Sequence, residues 1–222
     1  MIKGIFFDAH GILYERQETS TPYANRLLAT RGYPTEVSPT DKVRLADLRE
    51  QASIGRVAPE TYWDEFLKAH AVESAAERSE IATLILQRPH EVYELPGASS
   101  TLHELKRRGF ILGVITDTMY SPAWKRSWLK KIGVAQFLDV LICSTEVGVH
   151  KPEPGIYLAA LSHARITPAE SVFVGHTDYE LDGARRVGMT TIAVNHAPGT
   201  AADYHIRSLD DLLAVPILQA AQ

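Results

Sequence analysis

The sequence predicts an α/β fold in which a doubly wound parallel sheet forms a core and an all-helical domain is inserted into it. Two observations support this prediction. Short apolar runs rich in branched residues alternate with helical patterns over most of the chain, and a long stretch without such runs follows the first of them. Alternating strands and helices are typical of a parallel sheet that helices cover on both faces.

Five apolar runs are the predicted strands of the sheet. Each is too short for a helix and lacks a regular polar–apolar alternation, which is typical of strands buried on both faces. In chain order the runs are Ile2–Phe7, Ile111–Ile115, Val140–Ile142, Val172–Val174 and Thr191–Val194.

Helical patterns separate the later strands. Their apolar residues recur three and four positions apart, as on the buried face of an amphipathic helix. The segments are Ser121–Ile132, Pro154–His163 and Tyr179–Val187. Gly133 and Gly188 follow two of these segments, where a glycine commonly ends a helix.

The stretch between residues 14 and 94 contains no strand-like run. It is about 80 residues long, which is far too long for a loop. It contains four helical patterns, which are Pro22–Arg31, Thr40–Ser53, Pro59–Ala69 and Ala75–Leu86. We therefore predict a helical domain over residues 15–94, inserted into a core formed by residues 1–14 and 95–222.

The composition argues against several classes of partner. The chain has 222 residues and a net charge of -4 at pH 7, so no basic excess is available for nucleic acid or for an anionic membrane. No apolar segment approaches the roughly 18 residues that cross a bilayer. The N-terminus lacks the pattern of a signal peptide, so we expect a cytoplasmic protein. No heptad or other interface pattern points to an oligomeric state.

Residues with useful chemistry follow the predicted strands. Ligands of such sheets bind beyond the carboxyl ends of the strands, so these residues are expected to lie close together. In chain order they are Asp8, His10, Thr116, Asp117, Lys151, His176 and Glu180. A carboxylate, a hydroxyl and a lysine at neighbouring strand ends form a coherent site for an anion.

Four segments, in this order along the chain, resemble the four motifs of the haloacid dehalogenase superfamily. They are Ile5–Gly11, Val114–Thr116, Gly148–Pro154 and Val174–Thr177. The resemblance covers essentially the whole chain and implies a hydrolase with a Rossmann-like core and a helical C1-type cap. It also implies that Asp8 is the nucleophile, that Thr116 binds a substrate oxygen, and that Lys151 holds Asp8 and the substrate charge together.

The first and fourth motifs differ from those of the phosphatases in this superfamily. Phosphatases carry a second Asp, the acid and base of the reaction, where this chain has His10. They place an acidic residue that binds Mg²⁺ where this chain has His176. Mg²⁺ prefers oxygen ligands and takes imidazole poorly, so a weak or absent dependence on Mg²⁺ is expected. Glu180, at the position of the second acidic residue of the fourth motif, would compensate in part.

Three interpretations of the two histidines are open. In the first, His10 replaces the missing acid and base, because an ordinary histidine pKa of about 6.5 suits proton transfer at neutral pH. In the second, Asp8, His10, His176 and Glu180 bind a transition metal such as Zn²⁺. In the third, the site has decayed and binds a ligand or partner without turnover. The first is preferred, since the metal-free dehalogenases of the superfamily also lack the second Asp.

The predicted substrate is a small anion, either a phosphate ester or a haloacid-like molecule. Arg16 closely follows the first motif and is predicted to bind it, together with Thr116, Asp117 and Lys151. Asp117 stands where an Asn is more usual. Its negative charge disfavours a dianionic phosphate unless a cation offsets it.

Three further features have a structural interpretation. The basic residues between Lys125 and Lys131 are interpreted as a solvated helix face. Tyr62 and Trp63 are interpreted as core residues of the cap. Cys143, the single cysteine, is expected to be buried because it follows an apolar run.

Overall fold

A computed structural model describes residues 1–219 of the chain, so the last three residues of the predicted core lie outside it. The strands of its main sheet are β1 Gly4–Phe7, β4 Ile111–Thr116, β5 Val140–Cys143, β6 Ser171–Gly175, β7 Thr190–Val194 and β8 Tyr204–Ile206. Their order across the sheet is β5-β4-β1-β6-β7-β8, and all neighbours are parallel. A separate antiparallel ribbon consists of β2 Tyr14–Arg16 and β3 Val92–Glu94.

The helices form two groups. Four lie between the strands of the ribbon, and these are α1 Ser20–Thr30, α2 Pro39–Ser53, α3 Pro59–Ala69 and α4 Ala75–Gln87. The others follow β3, and these are α5 Ala98–Arg107, α6 Pro122–Lys131, α7 Ser144–Val147, α8 Pro154–Ala164, α9 Asp178–Arg186 and α10 Pro216–Gln219. No helix in residues 1–219 is long and apolar enough to cross a membrane.

The predicted α/β fold is confirmed, and all five predicted strands belong to the sheet. The expectation that no strand lies between residues 14 and 94 is wrong, because β2 and β3 form there. Each of these strands has only three residues, which is too short for a periodic pattern to be visible. The third short strand, β8, was missed for the same reason.

Both faces of the sheet are buried, which explains why the strands are apolar throughout. Ile5 and Phe7 of β1 pack into one apolar cluster with residues of α5 and α6. Phe6, whose side chain lies on the opposite face, packs with residues of α8 and α9. Burying apolar residues on both faces leaves no solvated side to carry polar residues, so the alternation typical of a half-exposed strand is absent.

The helices α1 to α4 have an apolar core of their own. Tyr62 and Trp63 belong to it and are almost completely buried, as predicted. The boundaries of this helical domain at residues 15 and 94 stay a prediction, and the ribbon of β2 and β3 spans both of them.

Cys143 ends β5 and is fully buried, as its place after an apolar run indicated. Burial raises the pKa of its thiol to about 11. The thiol is therefore protonated at neutral pH and is a structural residue of the core.

Gly113 of β4 leaves room for the ring of Phe6 on β1. A Cβ atom at this position would lie 2.5 Å from Cδ1 of Phe6 and 3.2 Å from Cβ of Val140. We expect Gly113→Ala to lower the free energy of unfolding by about 1–3 kcal/mol, because the ring must shift inside a packed core. Urea unfolding measures this change.

The control for this experiment is Gly155→Ala on α8. Its Cβ would approach only one methyl group of Val149, at 3.1 Å, and alanine is a better helix former than glycine. We expect no loss of stability in this control. Unchanged stability of Gly113→Ala would contradict the packing argument.

Candidate active site

The central strands of the sheet bring the predicted residues together. Asp8 directly follows β1, Thr116 ends β4, and His176 directly follows β6. The register places Phe7, the last residue of β1, beside Val114 of β4 and Val174 of β6. The three strands therefore end side by side, and their following residues share one edge of the sheet.

Lys151 is the centre of a buried ion-pair network. Its Nζ donates to Oδ1 of Asp8 at 2.7 Å and to Oε2 of Glu180 at 2.8 Å. The side chain of Lys151 is 2% exposed, and those of Asp8 and Glu180 are 10% and 1% exposed. Burial opposes the charge of Lys151, but the two carboxylates outweigh it and raise the pKa of the ammonium well above its ordinary value. Lys151 is therefore charged at neutral pH.

Both carboxylate oxygens of Glu180 are engaged. Oε2 accepts from Lys151, and Oε1 accepts from the backbone amides of His176 at 2.6 Å and Thr177 at 2.9 Å. The bond from the amide of Thr177 belongs to the capping box that begins α9. Burial opposes the charge of Glu180, but Lys151 and these donors lower the pKa of the carboxyl to about 2. Glu180 is therefore an anion that is fixed at both oxygens.

His176 lies beside both carboxylates. Its Nδ1 is 3.3 Å from Oε1 of Glu180 and 3.9 Å from Oδ2 of Asp8, and no described residue forms a hydrogen bond with it. A Cβ atom on Gly11 would lie 3.3 Å from the His176 ring, so the ring packs on a residue without a side chain. Asp8, His176 and Glu180 each place one potential ligand atom within 4.8 Å of the others. Three of the four predicted metal ligands are thus brought together.

His10, the fourth predicted metal ligand, is separate from this group in the described residues. Its Nε2 lies 2.6 Å from Oε1 of Glu15, in a direction that does not make a hydrogen bond. Burial lowers the pKa of His10 below its ordinary value of 6.5, although the Glu15 carboxylate opposes the shift. His10 is therefore neutral at neutral pH.

Asp117 supports the segment that carries Lys151. Its Oδ1 accepts from the backbone amide of Lys151 at 3.0 Å, and the hydroxyl of Tyr179 lies 3.4 Å from its Oδ2. Burial raises the pKa of Asp117, and the charge of Lys151 opposes this shift. The aspartate that replaces the usual asparagine thus accepts a hydrogen bond from the lysine segment.

Lys125 contradicts the interpretation of its cluster as a solvated helix face. Its side chain is 3% exposed, and its Nζ donates to the hydroxyl of Tyr14 at 2.9 Å and to Oγ1 of Thr116 at 3.1 Å. The other basic residues of the cluster are exposed, as predicted, and these are Arg126, Lys130 and Lys131.

The spacing of residues along α6 predicts this burial. Lys125 lies three and four residues before Trp128 and Leu129, which are buried on the core side of α6. Residues at this spacing share one face of a helix. The position of Lys125 was therefore predictable, whereas its partners were not.

A cavity of about 390 Å³ lies next to these residues. Both groups of helices and the strand ends contribute to its lining, which consists of His10, Arg16, Thr19, Ser20, Thr21, Arg49, Ser53, Trp63, Asp117, Thr118, Met119, Tyr120 and Lys125. The predicted substrate-binding residues Arg16 and Asp117 line it. Thr116 and Lys151 do not line it, but each contacts a residue that does. The hydroxyl of Thr116 accepts from Lys125, and the backbone amide of Lys151 donates to Asp117.

Known proteins resemble this chain over nearly its whole length. Residues 5–194 match the family described as haloacid dehalogenase-like hydrolase. A glyceraldehyde 3-phosphate phosphatase from Methanopyrus kandleri is 27% identical over 218 residues, which cover 96% of this chain and 91% of that protein. An (S)-2-haloacid dehalogenase from Pseudomonas sp. is 26% identical over 199 residues, which cover 87% and 85%. The solved structure of a 2-haloacid dehalogenase from Pseudomonas syringae shares the fold, with a TM-score of 0.75 and 24% identity over 99% of both chains.

The network predicts a large effect of removing its cation. We expect Lys151→Met to lower the free energy of unfolding at neutral pH by about 3–5 kcal/mol, because it leaves two buried carboxylates without a cation. Urea unfolding measures the loss, and Lys130→Met on the exposed face of α6 is the control. Adding Glu180→Gln to Lys151→Met should recover part of the stability. Strict additivity of the two changes would contradict the ion pair.

Proposed function

Since this chain belongs to the haloacid dehalogenase-like hydrolase family, we propose that it is a metal-independent hydrolase that uses Asp8 as its nucleophile on a small anionic substrate. The observation that carries the proposal is the ion pair between Lys151 and the two carboxylates of Asp8 and Glu180. This ion pair engages Oδ1 of Asp8. The remaining oxygen, Oδ2, accepts no hydrogen bond from residues 1–219 and is available for attack.

The three clustered residues do not fit a magnesium ion. Both oxygens of Glu180 and one oxygen of Asp8 already accept hydrogen bonds, and His176 offers an imidazole. Mg²⁺ demands a nearly octahedral shell of oxygens. A fixed ammonium between the two carboxylates also repels a second cation. The same contacts count against the zinc interpretation, and His10 lies outside the cluster.

The proposed reaction has two steps. In the first, Oδ2 of Asp8 attacks the electrophilic atom of the substrate, forms an ester with it and expels the leaving group with its bonding electron pair. In the second, water attacks Cγ of Asp8, the ester bond breaks and one proton of the water passes to the departing oxygen, which returns the carboxylate and releases a hydroxylated product. His10, which is neutral, accepts the other proton of that water. Thr116 binds a substrate oxygen through its hydroxyl.

The neutral state of His10 favours a leaving group that departs without a proton. A halide leaves as a stable anion, whereas the alkoxide of a phosphate ester needs a proton from an acid. The carboxylates of Asp8, Glu180 and Asp117 also repel a dianion more strongly than a monoanion. We therefore favour a carboxylic acid with a halogen on the adjacent carbon, which reacts with water to give the hydroxy acid, a halide and a proton.

A phosphate ester is the second candidate substrate. It is favoured by the similarity to a glyceraldehyde 3-phosphate phosphatase over 96% of this chain. In that reaction His10 would have to be protonated to act as the acid. The two candidates therefore predict opposite effects of acidic pH.

We expect turnover of 2-chloropropionate to persist in EDTA and to vanish in Asp8→Asn. Without the carboxylate of Asp8, no nucleophile is available to form the ester intermediate, so the rate should fall at least about 10³-fold. Halide release measures the reaction, and a panel of phosphate esters is assayed in parallel with and without Mg²⁺. The control is Asp182→Asn on α9. Asp182 is half-exposed, and its ion pairs in residues 1–219 are with arginines of the same helix. Activity that requires Mg²⁺ would contradict the proposal, and absence of all turnover would favour the ligand-binding alternative.

We expect the rate of ester hydrolysis to fall as the pH drops below 6.5. His10 must be neutral to accept a proton, and burial places its pKa below that value, so the rate is constant above the pKa and declines beneath it. His10→Gln should abolish this pH dependence and slow hydrolysis by about 10²–10⁴-fold. Mass spectrometry of the quenched protein should then detect the substrate ester on Asp8. A rate that rises at acidic pH would support the phosphatase candidate instead.

A further inference from the structure

The cavity beside the site carries an excess of positive charge. Arg16, Arg49 and Lys125 line it, and no carboxylate oxygen of residues 1–219 lies within 4.0 Å of their charged nitrogens. Arg44, on the same helix as Arg49, shows the contrast, because it pairs with two acidic residues. The cations of the cavity therefore have their charge available for a ligand.

Two of these cations are held against the same pair of aromatic rings. Cζ of Arg16 lies 4.6 Å from the ring centre of Trp128 and 5.8 Å from that of Tyr14. Nζ of Lys125 lies 5.0 Å and 5.6 Å from the same two centres. The rings attract each cation, but the two like charges repel each other across them. A bound anion would remove this repulsion.

Each of the two cations also has an unused donor. Nε of Arg16 is buried and has no hydrogen-bond partner among residues 1–219, which is costly for a buried N–H group. The ammonium of Lys125 has three hydrogens, of which Tyr14 and Thr116 accept two. The third is available to an acceptor in the cavity. Nε and a terminal nitrogen of an arginine together match the two oxygens of a carboxylate.

We propose that Arg16 and Lys125 form a paired anion site that binds the carboxylate of the substrate. The site lies beside the strand ends, because Lys125 is 3.1 Å from the hydroxyl of Thr116. Nε and a terminal nitrogen of Arg16 match the two oxygens of a carboxylate, and Asp117, which lines the same cavity, opposes each further negative charge on the anion. The role of this anion in a reaction rests on the proposed function, whereas its binding does not require turnover.

Binding of unreactive anions tests the pair directly. Isothermal titration calorimetry in EDTA measures the affinity of the wild-type chain for propionate and for inorganic phosphate. We expect Lys125→Gln and Arg16→Gln each to weaken propionate binding by about 10- to 100-fold, as expected for loss of a hydrogen bond from a charged group. Gln retains a donor for Tyr14 or Thr116, and urea unfolding of each variant checks that the fold is intact.

The control is Arg126→Gln, which removes an exposed charge from the same helix as Lys125. We expect its affinity for propionate to equal that of the wild type. Unchanged affinity in a folded Lys125→Gln, or no propionate binding by the wild type, would overturn the proposal. Tighter binding of phosphate than of propionate would overturn the assignment to a carboxylate.

Kinetics separate this proposal from the proposed function. If 2-chloropropionate is turned over, Lys125→Gln and Arg16→Gln should raise KM by a similar factor, and an unchanged KM would refute the pair alone. If no substrate is turned over but propionate binding still depends on both residues, the anion site stands and the hydrolase does not.

Discussion

The buried ammonium of Lys151 is the interaction on which the rest of the site depends. It joins the residue after β1 to the first turn of α9, and its own backbone amide binds Asp117 after β4. Two carboxylates this close and this buried would be strongly destabilised as anions without a cation between them. Lys151 thus connects three segments that are far apart in the sequence.

Glu180 links this charge arrangement to the backbone. The same carboxylate caps α9 and accepts from Lys151, so the helix begins where the ion pair requires it. Two glycines allow the close packing around this arrangement. A Cβ atom on Gly175 would lie 2.8 Å from Oε1 of Glu180, and one on Gly183 would lie 2.9 Å from Cα of Pro152. A site that uses its carboxylates in this way leaves only Oδ2 of Asp8 without a hydrogen bond in residues 1–219, too few oxygens for a metal shell, which is the physical basis of the proposed metal independence.

The site contains two cationic centres with different proposed roles. Lys151 is neutralised by carboxylates and serves the nucleophile, whereas Lys125 and Arg16 lack acidic partners and have charge left for a ligand. The helical domain closes over the same region, since Nε2 of His150, next to Lys151, contacts Glu50 of α2. His150 also contacts the backbone carbonyl of Lys151.

The sequence by itself determined five strands of the main sheet, most of the helices and the position of Asp8, Thr116 and His176 at strand ends, because these features depend on local apolar patterns and on the geometry of a parallel sheet. The spacing of Lys125 to Trp128 in the sequence also predicts the helical face on which Lys125 lies. Only the tertiary structure decided that Lys125 contacts Thr116, that both oxygens of Glu180 are occupied, and that His10 stands apart from His176. These contacts join residues from separate segments, and their distances follow from how the strands, loops and helices pack, which no local pattern encodes.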